Sequence, residues 1–420
     1  MSIFLIINTI FGVVFFILYA YQGYYIYTVI KRPPRIFPEA DPKRYAVLIC
    51  ARDEEYVLGH LIASVQEQEY PDDLVDIYVL ADNCTDGTAM VAREKGAIVY
   101  ERENKELIGK GYALECLIDH ITENGTKWDY EGFIIVDADN LLDKHFISEM
   151  NKAINAGNMI VTGYRNSKNF SDNWLSSGYA LWFLRESKYL NNARELLGLS
   201  SQVNGTGFVV HRDIIRKYGG WKFFTLTEDV EFSFAMAANG DRIACNKAAI
   251  IYDEQPVKFI NSWKQRTRWV KGYFQAYNKY GAALIEGFFK RRDFSCYDML
   301  MSTFAGTVLS VCLVLLYIIF TSIFLIIGHP LEHALLWLAV YFAGVYIGLV
   351  VLGIFTMKTE GAMVQCSSKK KKLYCFTFPL FLLVFLLVAL FAPFSRERWS
   401  HVDHIRDIDI EDVGTDAEAN

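Results

Sequence analysis

The chain has 420 residues, of which 52% are hydrophobic, 15% aromatic and 21% charged, with 30 Phe and 25 Tyr. That composition excludes a disordered chain, a collagen-like repeat and a small disulfide-stapled scaffold. A net charge of −6 leaves no general basic footprint for nucleic acid.

Four charge-free apolar stretches cover 3–30, 299–327, 334–357 and 373–394. Each reaches the roughly 20 residues that a helix needs to cross the hydrocarbon core. The first lacks a cationic leader and a small-residue cleavage site, so it reads as a permanent anchor and not as a signal peptide. Lys31, Arg32, Arg35, Lys43 and Arg44 follow it, and Lys358 with Lys369, Lys370, Lys371 and Lys372 lies between the third and fourth stretches. The positive-inside rule then predicts a multi-pass plasma-membrane protein with residues 31–298 in the cytoplasm. Four crossings place the acidic tail, 395–420, outside. A re-entrant fourth stretch leaves it cytoplasmic, the side favoured by Arg396, Arg398 and Arg406. The eight cysteines form no CxxC pair and the eight histidines no zinc spacing, so the thiols read as reduced and structural.

After a linker over 31–44, short apolar runs alternate with amphipathic ones from residue 45 to 255. Strands are predicted at 45–51, 77–81, 97–100 and 133–136, and helices at 54–68, 87–95 and 109–121. This alternation predicts a doubly wound, mostly parallel α/β sheet that binds its ligand at the strands' carboxyl ends. Acidic clusters sit at those ends: Asp53 with Glu54, Asp82, and Asp137 with Asp139.

Asp137 and Asp139 follow a buried strand two residues apart, a spacing that turns both carboxylates the same way if the backbone stays extended. A hard divalent cation on a diphosphate needs such oxygens, whereas the plain alternative is a solvated turn. Thr227-Glu228-Asp229 opens a helical run. It serves either as an N-cap with acids in the first turn or as the seat of a general base. Gln265-Arg266-Thr267-Arg268-Trp269 lies in a cationic amphipathic stretch within 256–298, which by itself describes an interfacial helix. An Arg there can also fork onto a diphosphate, and an indole can stack on a sugar. Asn204-Gly205-Thr206-Gly207 follows a helix predicted over 172–197, and its glycines allow close backbone approach to a ligand. Lys110, between Gly109 and Gly111, opens a helix where amides and a cation meet phosphate.

In that order, Asp53, Asp82, the DxD of Asp137 and Asp139, the TED ending at Asp229, and QxxRW from Gln265 to Trp269 resemble the membrane-embedded family 2 glycosyltransferases, which include cellulose, chitin, hyaluronan and poly-N-acetylglucosamine synthases. The resemblance covers about 45–272. It implies a GT-A fold, a UDP-sugar donor and Mg²⁺ or Mn²⁺. Asp53 and Asp82 would meet the uridine, Lys110, Asp137 and Arg268 the rest of the donor, and Asp137 and Asp139 the metal. Asp229, with Glu228 beside it, would be the base, and Gln265, Trp269, Gly205 and Thr206 would meet the acceptor. Two departures stand out: Ala81-Asp82 replaces the usual acidic pair, and Asn204-Gly205-Thr206-Gly207 replaces the signature common near the acceptor of processive enzymes.

The leading expectation is an inverting processive hexosyltransferase that elongates a β-linked exopolysaccharide and passes it outward. The alternative is a non-processive enzyme acting on a lipid-linked acceptor. Expected partners are the donor, a glycan or glycolipid acceptor and the bilayer. The sequence leaves a homo-oligomer and accessory export subunits open.

Overall fold

The computed structural model describes residues 2–123, 129–328, 330–395, 404, 406 and 408–413. Arg396 and Arg398, which bear on the side of the tail, lie outside the described residues.

One sheet holds eight strands: β1 (Tyr45–Ala51), β2 (Val75–Asp82), β3 (Ile98–Arg102), β4 (Gly132–Asp137), β5 (Leu141–Leu142), β6 (Ile160–Ser167), β7 (Phe208–His211) and β8 (Ala244–Asp253). Their spatial order is β3-β2-β1-β4-β7-β6-β8-β5. The first four run parallel, β7 enters antiparallel between β4 and β6, and β6 pairs parallel with β8. The helices are α1 (Ser2–Lys31), α2 (Leu58–Gln66), α3 (Thr88–Glu94), α4 (Lys110–Glu123), α5 (Phe146–Asn155), α6 (Trp174–Arg185) and α7 (Asn192–Leu197). They continue as α8 (Arg212–Tyr218), α9 (Glu228–Asn239), α10 (Phe259–Lys290), α11 (Phe294–Leu300), α12 (Gly306–Ile326), α13 (Leu331–Glu360) and α14 (Ser368–Phe391). The helix predicted over 172–197 is present but interrupted by a π-helical segment, Glu186–Asn191.

Alternation along β1 explains why the sheet is covered on both faces. Tyr45, Val47 and Ile49 join a core with Leu58, Leu61 and Phe146, whereas Ala46 and Leu48 join Leu114, Leu117, Trp221 and Phe232. A strand buried on both sides reads as a continuous apolar run, as YAVLICA does.

Among the described residues, four helices are long and apolar enough to cross a membrane: Thr9–Lys31, Thr307–Ile326, Leu331–Met363 and Ser368–Phe394. Their outer faces carry exposed apolar side chains such as Phe16, Ile17 and Ile326. A buried polar knot ties α1 to the rest. Asp298 accepts from Tyr21 Oη at 3.0 Å, Tyr25 Oη at 2.8 Å and Arg194 Nε at 2.7 Å. A buried carboxylate left without such donors is strongly destabilising, so this contact fixes the approach of α1.

Candidate active site

A cavity of about 1200 Å³ opens at the carboxyl ends of β1, β2 and β4 and continues between α1, α12, α13 and α14. Its position at the strand ends is where an open α/β sheet binds ligands. Lys110, Asp82, Asp137, Asp139, Gly205, Glu228, Asp229, Gln265, Arg268 and Trp269 all line it.

Lys110 is the first residue of α4, and its Nζ reaches Asp137 Oδ1, the Gly205 carbonyl at 2.7 Å and Glu228 Oε1 at 3.8 Å. Glu228 and Asp229 occupy the first turn of α9. Thr227 stands at the N-cap position, yet its side chain makes no capping bond, and its buried hydroxyl has no partner among the described residues. The Thr227 side chain therefore does not cap α9, although both acids stand in its first turn. Burial pushes Glu228 up to about 7 and raises Asp229 as well, against the pull of Lys110.

The strand ends at Asp137 and a turn begins at Ala138, so the two acids of the DxD leave in a bend and not in extended backbone. Asp137 goes to Lys110. Asp139, buried, accepts from the Glu254 amide at 3.2 Å and faces Nε2 of His404 at 3.9 Å. Burial opposes its ionisation, but the charges of His404 and Lys168 and that amide bond hold its carboxyl below the usual range.

Gly205 has φ +85°, and a Cβ there would lie 3.9 Å from both Asp137 Oδ2 and Asp229 Oδ2. The loop is held by Arg165, whose Nη1 donates to the Asn204 carbonyl at 2.7 Å and whose Nε donates to Asp253 at 2.7 Å, with the guanidinium 3.6 Å over Phe183. On α10, Gln265 Oε1 is buried without a partner among the described residues, and Trp269 packs edge-on against Tyr179 and Phe183. Arg266 also lines the cavity but is fully buried, donating to the Phe381 carbonyl at 2.8 Å and Tyr179 Oη at 3.2 Å.

Two expected contacts are placed elsewhere. Asp53, at φ 55°, is absent from the cavity wall, because its carboxylate accepts from the Thr85 amide at 2.6 Å. Thr206 is buried behind the wall, where its hydroxyl bonds Asn140 and accepts from the Asp137 amide at 2.9 Å. Its bonds tie it to the DxD turn, and it is not among the residues that line the cavity. Sequence reasoning missed Glu54, Arg165, Asp253, Arg185 and His404, all of which line the cavity. Glu54 had a signal, being next to Asp53. His404 had none, since it lies 265 positions beyond Asp139 in sequence.

The segment 42–272, more than half of the chain, matches the model of the family described as "Glycosyltransferase like family 2". The chain belongs to that family. A probable glycosyltransferase of Bacillus subtilis is 27% identical over 252 residues, covering 54% of this chain and 55% of that protein. A beta-monoglucosyldiacylglycerol synthase of Nostoc is 26% identical over 267 residues, 61% of this chain and 54% of its own. The chain thus spans about half the length of these curated relatives. A 4,4'-diaponeurosporenoate glycosyltransferase of Staphylococcus aureus is 44% identical over 85 residues, 20% of this chain and 22% of that one. Among solved structures, a mannosyltransferase of Pyrobaculum calidifontis, in complex with GDP-Man and Mn²⁺, superimposes with a TM-score of 0.54. That match covers 93% of this chain and 99% of the other at 15% identity, and it shows a shared fold. This family 2 glycosyltransferase therefore has the GT-A fold expected from its motifs.

Proposed function

We propose that this glycosyltransferase moves a sugar, with inversion, from a UDP-sugar to a hydroxyl on a membrane lipid. The observation that carries the lipid acceptor is the continuity of one cavity from Asp229 to apolar side chains of the membrane helices, among them Phe15, Leu313, Leu338 and Leu386. Hydroxyls on that wall, the groups a glycan path would use, are partly spent: Thr303 and Thr307 bond carbonyls one turn earlier at 3.0 Å and 3.0 Å. Such back-bonded threonines leave their methyl groups as the free end of the side chain. The relative named as a monoglucosyldiacylglycerol synthase supports the same acceptor class.

The transition state has oxocarbenium character, as in glycoside hydrolysis, but here the acceptor hydroxyl replaces water. Asp229 takes the hydroxyl proton as the new bond to the anomeric carbon forms and the bond to the diphosphate oxygen breaks. The leaving group is already acidic, so one carboxylate base suffices. Arg268, which has no ion-pair partner among the described residues, and Lys110 neutralise the diphosphate charge. Asp82 stands at the nucleoside end, at the carboxyl end of β2.

The donor set suits a hard divalent cation: two carboxylates, Asp137 and Asp139, on the wall of a cavity where diphosphate and water complete the shell. Bound there, Mg²⁺ or Mn²⁺ supplies charge neutralisation at the diphosphate. The test is UDP release by lipid-reconstituted enzyme across a panel of UDP-sugars and lipid acceptors, followed by product sizing. A single-sugar lipid product, lost in Asp229→Asn while UDP still binds, is the expected result. A long glycan would return the assignment to a processive synthase, and an active Asp229→Asn would remove the base.

A further inference from the structure

The apolar stretch after α13 behaves unlike the other three. In its most apolar window 39% of residues are buried inside the protein, against 11% to 17% for the others. Both of its ends touch the catalytic unit. Near its start, Tyr374 Oη donates to the Ser171 carbonyl at 3.0 Å and its ring meets Phe170 edge-on. Midway, the Phe381 carbonyl accepts from Arg266 at 2.8 Å. Beyond its end, Lys271 Nζ donates to the Ser395 carbonyl at 2.6 Å, and Val388, Ala389 and Ala392 pack on Val270. Arg266, Val270 and Lys271 lie within two turns of α10, beside Trp269. A 24-residue helix is about 36 Å long, enough to carry one end across a bilayer, yet neither end of α14 leaves the catalytic side. Its outward face is a stripe of exposed Leu373, Phe376, Leu380, Leu387 and Phe391, which lipid covers in either orientation, so its lie is decided by the contacts at its two ends.

The crossings before it agree. The end of α13 returns to the catalytic domain, where Glu360 accepts from Tyr164 Oη at 2.6 Å and pairs with Lys188 at 3.0 Å. So α12 and α13 go out and back, and α14 begins where they return.

The tail beyond α14 lands on the active site. His404 Nδ1 lies 2.9 Å and 3.1 Å from the two carboxylate oxygens of Glu54, and its Nε2 faces Asp139 Oδ2. Arg406 pairs with Asp172 at 3.1 Å, and its amide donates to Glu254 at 3.2 Å. Asp409 meets His60 Nδ1 at 2.6 Å. An imidazole whose Nδ1 hydrogen is held by a carboxylate, with Nε2 aimed at a second carboxylate, has the arrangement of a metal-binding histidine and its supporting acid.

We propose that α14 lies along the membrane surface without crossing it, so that the described tail residues stay on the catalytic face, where His404 joins Asp139 as a ligand of the donor-site cation. Glu54 fixes the imidazole and does not touch the metal. The cation half of this proposal rests on the nucleotide-sugar function proposed for the cavity, whereas the topology does not. A different grouping, Asp53, Cys84 and Asp86, also brings three ligand atoms together, but its carboxylates are engaged by the Thr85, Glu55 and Thr88 amides.

The experiment uses the full chain and reads neither half through turnover. An epitope after Asn420 is probed in sealed inverted and right-side-out vesicles, with protease digestion of residues 31–298 as the internal marker. Epitope and catalytic domain are expected to become accessible together, and access from opposite faces overturns the topology. Mn²⁺ binding is then titrated by electron paramagnetic resonance on purified protein with UDP. His404→Ala is expected to weaken Mn²⁺ tenfold or more, and Mg²⁺, which prefers oxygen ligands, by less. Glu54→Gln keeps the imidazole and serves if His404→Ala unfolds; it is expected to weaken Mn²⁺ several-fold. Mn²⁺ affinity unchanged in both variants would leave His404 a mere counter-ion of Asp139 and overturn the ligand assignment. If Mn²⁺ binding responds as expected but no UDP-sugar is turned over, the transferase function fails while the cation site stands.

Discussion

Lys110 and Glu228 stand 3.8 Å apart across the polar end of the cavity, with Asp137 on the other side of the same ammonium group. One cation thus holds together acids from β4 and α9, while burial alone would drive Glu228 to keep its proton. Its carboxyl is pushed up to about 7, and Asp229 beside it is raised too. As pH falls through about 7 Glu228 takes up its proton, and Asp229, whose carboxyl burial also raises, follows it; once protonated Asp229 ceases to be an acceptor and turnover falls. The rate against pH is expected to show an acid limb above the usual carboxylate range, and a limb at the ordinary aspartate position would separate these acids from the chemistry. Lys110→Met should move that limb upward, because the charge that opposes protonation is gone. It should also raise the donor KM about tenfold or more, as expected for one lost charge-assisted contact.

Gly205 is the point where backbone meets chemistry. Its φ of +85° is one that L side chains rarely adopt, and a methyl group there would sit in van der Waals contact, 3.9 Å from Asp137 and Asp229. Gly205→Ala is expected to cost roughly 1–2 kcal/mol of backbone strain. Its larger effect should be on activity, by crowding the acceptor hydroxyl against Asp229. The check is a thermal melt beside single-turnover rates: a small drop in Tm with a rate loss of about a hundredfold is expected.

Gln265-Arg266-Thr267-Arg268-Trp269 carries two arginines with different tasks. Residues two apart lie on different faces of a helix, so one cavity wall cannot use both in the same way. Both line the cavity, but Arg266 is fully buried on Tyr179 and Phe381, while Arg268 has no ion pair among the described residues. Arg266→Ala is expected to destabilise the fold by about 3 kcal/mol, since the Phe381 carbonyl and the Tyr179 hydroxyl lose a buried donor and a cavity opens. Arg268→Ala should leave the melting temperature nearly unchanged and lower kcat/KM about a hundredfold or more, the loss expected when a charge-assisted contact to the diphosphate goes. Equal effects on stability from the two substitutions would contradict this division.

The sheet's first half was legible because its strands are short continuous apolar runs: the predicted strand at 45–51 matches β1, and that at 133–136 falls inside β4. The second half was not. β6 ends in polar residues that serve the site, β5 has only two residues, and β8 begins ACNK, so apolar periodicity is broken there. Site residues were legible where a motif gathers them within a few positions, as in the DxD and TED. Asp53 lies off the cavity wall because a strand-end acid can also close its own loop, here onto Thr85. Glu54 and His404 reach Asp139 through tertiary packing between distant segments, a relation that no spacing in the sequence encodes.

The passage from Asp229 toward the membrane helices is guarded by a charge with no salt bridge to an acid among the described residues. Arg185, the last residue of α6, donates from Nη2 to Gln22 Oε1 of α1 at 2.9 Å and lies 5.0 Å from the ring centre of Trp182. Burial lowers its pKa, and Glu186 beside it opposes that, while the guanidinium lines the cavity. A donor-rich group in that place suits the oxygens of the proposed acceptor's head, while Lys110 and Arg268 are the groups proposed to meet the donor's diphosphate. Arg185→Met and Gln22→Leu are therefore expected to raise the acceptor KM about ten- to a hundredfold, the cost of a lost hydrogen bond to a charged group, and to leave the donor KM within about twofold. Bisubstrate kinetics on the lipid-reconstituted enzyme separates the two constants. If the donor constant moved instead, the sugar nucleotide would extend past Asp229 and the acceptor would have to enter from elsewhere.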